Sequence, residues 1–306
     1  MRPFVKSRSL AALGMTLGPI VKSRSLATLG MTLGPIVKSR SLAALGMTRS
    51  AMASAIVVMA STVAAAQPPH MAAADTIVLP VGSASVDGTI YRDHEAAVVI
   101  RVLRDGAVVR TQRFINQTFA TTRNGRAVCV VRSVPYAGDA DQQFFAEVVL
   151  DRKTMALIHY EARDGTGRET IADVEGSHVT GHIRASRDAA TQPLDFTLEA
   201  PSYYFPFVDA AIGATPLKLG QVFRVPSFGF GAADRHTEWR TYELSRRESV
   251  AALGAAPMNS WILEGRGSTH QTIWITDDAP YLPRVVSHAP DGSIIEFESA
   301  LLATRR

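Results

Sequence analysis

One cysteine, Cys129, stands in 306 residues, so no intrachain disulfide can form in any compartment. It lies in Ala127-Val128-Cys129-Val130-Val131, among β-branched residues, where a thiol reads as buried and inert rather than nucleophilic. Acidic residues are missing from residues 1–66, which hold eight basic ones (Arg2, Lys6, Arg8, Lys22, Arg24, Lys38, Arg40 and Arg49). The chain total of 32 Lys+Arg against 28 Asp+Glu therefore leaves 24 against 28 for residues 67–306, a net of −4. A nucleic-acid protein carries its basic excess on the folded part, so nucleic acid is excluded as a partner. No run after residue 75 is apolar enough to span a membrane as a helix. The Gly-x-Ser-x-Gly elbow, Ser-x-x-Lys and His-Glu-x-x-His are all missing from the mature chain, which removes three common hydrolase signatures. Phe228-Gly-Phe-Gly-Ala-Ala233 lacks the Walker lysine and follows no βαβ pattern, so it is no phosphate cradle.

What is present begins with a repeat. Val5-Lys-Ser-Arg-Ser-Leu-Ala-Ala-Leu-Gly-Met-Thr-Leu-Gly-Pro-Ile20 recurs at residues 21–36, with Thr28 in place of alanine, and again in part at 37–48. A period of 16 fits neither a supercoil nor a solenoid. The near-identity resembles the translated product of a short repeated intergenic element in a bacterial genome. Residues 1–46 are thus expected to precede the native start at Met47. From there Arg49, the apolar run 51–66 and the small-residue end Ala64-Ala65-Ala66 form a signal peptide, with cleavage after Ala66 or Ala74. The mature protein, residues 67–306, is expected in the periplasm or outside the cell.

The mature chain reads as mainly β: an antiparallel meander forming an open half-barrel or β-clam. Asp105-Gly106 between residues 98–104 and 107–114, and Asn124-Gly125 between 119–123 and 126–132, are strong hairpin signals. Asp164-Gly165, Glu175-Gly176, Asp291-Gly292 and Gly265-Arg-Gly-Ser268 separate further strands. The stretch 201–220 breaks this rhythm, and residues 207–212 predict one short crossing helix after Pro206. It divides the chain into halves at about 75–200 and 221–306. The two halves share a pattern, strand, acidic turn and returning strand, around Asp151 and around Asp277-Asp278.

Candidate chemistry is sparse. His178 and His182 are four apart on a strand, about 13 Å, too far for two ligands of one metal. His236 and Glu238 share a strand face, but a metal there needs His270 or His288 from another strand. Asp151 and Asp277-Asp278 suit turns for backbone reasons alone, and Asn116-Gln-Thr118 is a chance glycosylation sequon. No metal, cofactor or catalytic residue is assigned. Aromatics are few, 7% of the chain, yet Tyr203, Tyr204, Phe205 and Phe207 open the crossing element, with Phe228 and Phe230 soon after. Such a group can line an apolar pocket or form its lid, and can equally fill the core. Trp239, Trp261 and Trp274 sit on strands as packing residues.

Trp261-Ile-Leu-Glu264, Ile273-Trp274-Ile275, Pro280-Tyr-Leu282-Pro-Arg284-Val and Asp291-Gly292, in that order, resemble a family of exported bacterial proteins of unknown function. Pro216-Leu217-Lys-Leu219-Gly220 is similar to it too. The resemblance implies an open β half-barrel around helical plugs, related in fold to the lipoprotein carriers LolA and LolB, and it implies no catalytic residues. The expected function is non-enzymatic: binding of a hydrophobic, lipid-like or amphipathic ligand, or of a cell-envelope protein. The alternatives are an envelope assembly factor without a small ligand, and a hydrolase whose site is assembled from separate strands.

If the repeats precede the native start, expression from Met47 yields the same exported, processed protein as the full chain. The N-terminal mass of the secreted product checks this, and a mass retaining the repeats contradicts it.

Overall fold

The computed structural model describes residues 76–136, 144–231, 234–266, 270–289 and 291–304. The repeated leader, the signal peptide and its cleavage sites lie outside the described residues, as do parts of Gly265-Arg-Gly-Ser268 and of the glycine-rich stretch after Phe228.

All strands belong to one sheet. After the short β1 (Thr76–Val78), a first meander runs through β2 (His94–Arg104), β3 (Ala107–Arg123), β4 (Arg126–Pro135), β5 (Phe145–Asp151), β6 (Leu157–Arg163), β7 (Glu169–Glu175), β8 (His178–Arg184) and β9 (Gln192–Thr197). The crossing element follows: β10 (Tyr203–Tyr204), a 3-10 turn (Phe205–Phe207) and the helix α1 (Val208–Gly213). A second meander holds β11 (Val222–Phe228), β12 (Glu238–Val250), β13 (Met258–Arg266), β14 (His270–Ile275), β15 (Arg284–His288) and β16 (Ile294–Thr304). Within each meander every strand pairs antiparallel with its successor, while β1 and β10 lie parallel to β11. The last strand pairs with the first long one, from Ile294 opposite Leu103 to Thr304 opposite His94, and so joins the two halves edge to edge. The ends of the strand order, β1 and β9, do not pair among the described residues, and the sheet stays open.

Local chemistry explains the hairpins. Asp105 and Gly106 have φ of 52° and 76°, and Asn124 and Gly125 of 52° and 78°, the two positive φ values that a tight hairpin turn requires. Bulges between Val102 and Leu103, Val149 and Leu150, Leu244 and Arg246, and Leu301 and Ala303 add twist and let a long sheet curve. The two runs expected at 107–114 and 119–123 are one strand of 17 residues. Ile115 to Thr118 continue the ladder, with polar Asn116 facing inward, which defeats an alternation reading that assumes an apolar inner face. The sequon asparagine is therefore a wall residue, accepting a hydrogen bond from Ser133 Oγ at 2.6 Å.

α1 has only six residues, far too few to persist alone in water. It is held by what it buries: Val208, Ala211 and Ile212 sit in the main apolar cluster with Leu79, Phe223, Leu244 and Leu263. Tyr91 Oη donates to Ala210 O at 2.7 Å, and Asp87 N donates to Ala214 O at 2.8 Å.

Gly181, in β8, has φ of 140°, and a Cβ there would overlap the Ile171 carbonyl oxygen. Gly181→Ala is expected to cost about 3 kcal/mol or more from strain and overpacking. Gly106→Ala, with open space around it, should cost only the left-handed backbone penalty of about 1 kcal/mol. Denaturant melts of both variants check the difference.

Candidate functional site

Strand alternation supplies the wall of a cavity. Cys129, Val131 and Ser133 of β4, and Gln271, Ile273 and Ile275 of β14, are spaced two apart and face the same interior. Across from the sheet the cavity is bounded by Tyr204, Phe205, Pro206 and Phe207, with Asp209 and Ala210 of α1. The cavity volume is about 430 Å³, within the roughly 300–1,000 Å³ range of small-molecule pockets. It runs along the strands, since both His94 and Ile100 of β2 line it; six residues of strand correspond to about 20 Å.

Most polar wall groups satisfy one another. Besides the Ser133–Asn116 bond, Gln271 Nε2 donates to Ser287 Oγ at 3.0 Å, and Ser299 Oγ donates to Leu282 O at 2.6 Å. At the α1 end, Tyr281 Oη donates to Ile90 O at 3.3 Å and accepts from Arg92 N at 2.9 Å. Its ring meets Tyr91 edge-on at 4.8 Å and His94 at 5.5 Å. His94 Nδ1 is 2.9 Å from Arg92 O, which places the ring proton on Nδ1. Burial pushes the His94 imidazole below its usual value, against the favourable Arg92 carbonyl. Burial likewise pushes up the thiol of Cys129 and the hydroxyls of Tyr91, Tyr204 and Tyr242, so all stay neutral at ordinary pH. Cys129 is a buried free thiol in this wall.

Asp209 differs. Burial pushes its carboxyl from 3.8 up to about 7, opposed only by the N–H groups of Asp209 and Ala210. Asp209 is partly buried and lines the cavity, and among the described residues no other side chain hydrogen-bonds to it.

The predicted aromatic group divides. Tyr204, Phe205 and Phe207 line the cavity. Tyr203, Phe228 and Phe230 lie behind it in the core, at 0%, 2% and 8% exposure, with the Phe230 ring tilted against Tyr204 at 4.8 Å and Tyr160 at 5.0 Å. Phe205 carries the Arg240 guanidinium at 3.9 Å. The remaining candidates disperse. His178 Nε2 contacts Asp195 of β9 at 2.9 Å and His182 Nε2 contacts Glu169 of β7 at 3.5 Å, so the two histidines of β8 turn to opposite neighbours. Glu238 pairs with Arg240, and His270 lies opposite His288 in the ladder. Asp151 Oδ1 accepts from Thr154 N at 2.8 Å, a turn-stabilising role, and Asp277 accepts from Trp261 Nε1 at 3.2 Å. Trp274 packs with Val250 and Ile262, and Trp239 lies under Arg224.

Sequence reasoning missed Asp209, His94, Tyr91, Tyr242 and Tyr281. An acid in the first turn of a helix reads as a favourable dipole partner, so Asp209 raised no signal. The others converge only through long-range pairing.

The model of a family described as "Protein of unknown function (DUF3108)" matches residues 101–298. No curated protein matches the chain. Among solved structures, a β-barrel-like protein of the DUF1849 domain of unknown function from Brucella abortus is 8% identical, with a TM-score of 0.40, over 69% of this chain and 98% of that one. A DUF1329 family protein from Desulfovibrio piger is 12% identical, with a TM-score of 0.25, over 68% of this chain and 84% of the other.

A carboxyl with a raised folded pKa penalises the native state once it ionises. Its contribution is neutral below the unfolded value of 3.8, turns unfavourable as pH rises to about 7, and is constant above. Asp209→Asn is therefore expected to leave stability near pH 4 unchanged and raise it at pH 8, by at most about 4 kcal/mol and less where water reaches the carboxyl. Urea melts of both proteins across pH check this; parallel curves contradict it.

Proposed function

We propose that this chain, which belongs to the DUF3108 family of unknown function, is a non-enzymatic binding protein of the bacterial cell envelope that holds one hydrophobic or amphipathic molecule. The observation that carries this reading is the cavity of about 430 Å³ between the crossing element and the sheet, lined largely by apolar and aromatic side chains. Binding sites for small apolar ligands have this character: hydrophobic walls with few polar groups placed at defined points. The paired Asn116–Ser133 and Gln271–Ser287 side chains make few demands on an occupant, so an alkyl chain can pass them without stranding a donor. Export to the periplasm or beyond belongs to the proposal and rests on the signal-peptide pattern of residues 47–66. Kinship with the carriers LolA and LolB belongs to it as well, and rests on the sequence resemblance.

Phe205 and Phe207 are both partly exposed and both line the cavity. Replacing both by alanine is expected to cost well under the ~3–5 kcal/mol of a fully buried phenylalanine at each position. A fluorescent fatty-acid or lipid probe that binds the wild type with one-to-one stoichiometry should lose its affinity for the double variant. A denaturant melt and a probe titration on the same protein test both statements. Severe destabilisation, with no probe binding by the wild type, overturns the reading in favour of a purely structural plug.

A further inference from the structure

Resting on the binding reading above, we propose that the molecule held is a cationic amphiphile, whose hydrocarbon chain follows the inner wall of the sheet and whose protonated amine meets the Asp209 carboxylate at the α1 end. The cavity sets a long apolar wall against one ionisable acid. What acts on the Asp209 charge is burial and two backbone N–H groups, with no cationic side chain. Two basic residues near this end are engaged elsewhere. Arg152 Nη2 donates to Tyr91 O at 2.7 Å and Thr89 O at 3.2 Å. Arg240 pairs with Glu238 and stacks on Phe205. A carboxylate in a poorly solvated site attracts a cation far more strongly than one in water, and the protein supplies none.

The surroundings leave Asp209 as the group whose charge changes near neutrality. α1 packs against the 3-10 turn, β10, β11 and β14. The turn holds no titratable side chain. β10 contributes Tyr203 and Tyr204, both raised by burial. From β11 comes Arg224, which lies over Trp239 at 4.9 Å. From β14 comes His270, at the strand end away from Ile275. The other titratable groups at this end are neutral at and above neutral pH: Tyr91, Tyr242, His94 and Cys129 for the reasons given, and Tyr281 because burial raises its hydroxyl too. An anionic head would meet like charge as Asp209 ionises, and an alcohol would gain a hydrogen bond without the charge.

The test is calorimetric titration of the purified mature protein with dodecylamine, dodecanol and dodecanoate, each below its critical micelle concentration. Wild type is expected to bind the amine about tenfold or more tighter than the other two, the scale of one charge-assisted contact. That margin should widen from about pH 6 to about pH 8.5 as Asp209 ionises around pH 7, while the amine stays protonated. Asp209→Asn is expected to bring the amine down to the affinity of dodecanol. The wild-type pH series needs no variant, so it decides the matter even where the variant fails to fold. Equal binding of all three ligands, or an amine preference that survives in Asp209→Asn, overturns the cationic ligand and leaves the binding reading standing. Binding of none of them overturns the binding reading itself.

Discussion

Everything in this structure depends on the pairing of β16 with β2. The chain forms two meanders, and each alone would be an antiparallel sheet with an exposed edge. Ten paired positions, from Ile294 opposite Leu103 to Thr304 opposite His94, turn them into one sheet with a shared inner face. Residues far apart in sequence thereby face one interior: Asn116 and Ser133 from the first meander, Ser287 and Phe297 from the second. The bulge at Leu301–Ala303 on this same pairing bends the junction where the curve is needed.

A curved sheet with an apolar concave face must cover it, and a six-residue helix covers only one end. Val208, Ala211 and Ile212 close the interior against Leu79, Phe223 and Leu263, and the Tyr91 hydroxyl locks the helix by its Ala210 carbonyl. Toward the other end the wall residues Ile100 and Phe297 line cavity instead of meeting the plug. The same economy leaves Asp209 with burial but without a partner cation. In a protein stable by a narrow margin, an acid that weakens the fold above neutrality is retained at a cost. Ligand recognition is a reason for such a cost; packing alone is not.

The parts of the fold legible in the sequence were those with local causes. Asp105-Gly106 and Asn124-Gly125 announce hairpins because few other residues accept positive φ at both turn positions. Pro206 announces α1 because it starts a helix well and continues one poorly. The aromatic group was legible as a group but not by face. In β10 successive side chains point opposite ways, so Tyr203 enters the core while its neighbour Tyr204 reaches the cavity. The site's polar end was not legible, since Tyr91 and His94, Asp209, and Tyr242 come from three separated segments brought together by long-range pairing. Polar wall residues such as Asn116 also disguise a cavity-facing strand as surface. Glu238 shows the converse: its spacing from His236 suggested a ligand pair, but Arg240, two residues on and on the same face, takes its carboxylate.

The central claim, that the cavity is a binding site for one amphiphile, is tested most directly by native mass spectrometry of the mature protein. The protein would be exported, purified without detergent, and compared with Ala146→Trp, which fills the wall at a buried β5 position facing the cavity. The account expects one co-purifying small molecule per chain on the wild type, released on denaturation and missing from the variant. A folded wild type that carries no adduct and takes up none from added amphiphile contradicts it.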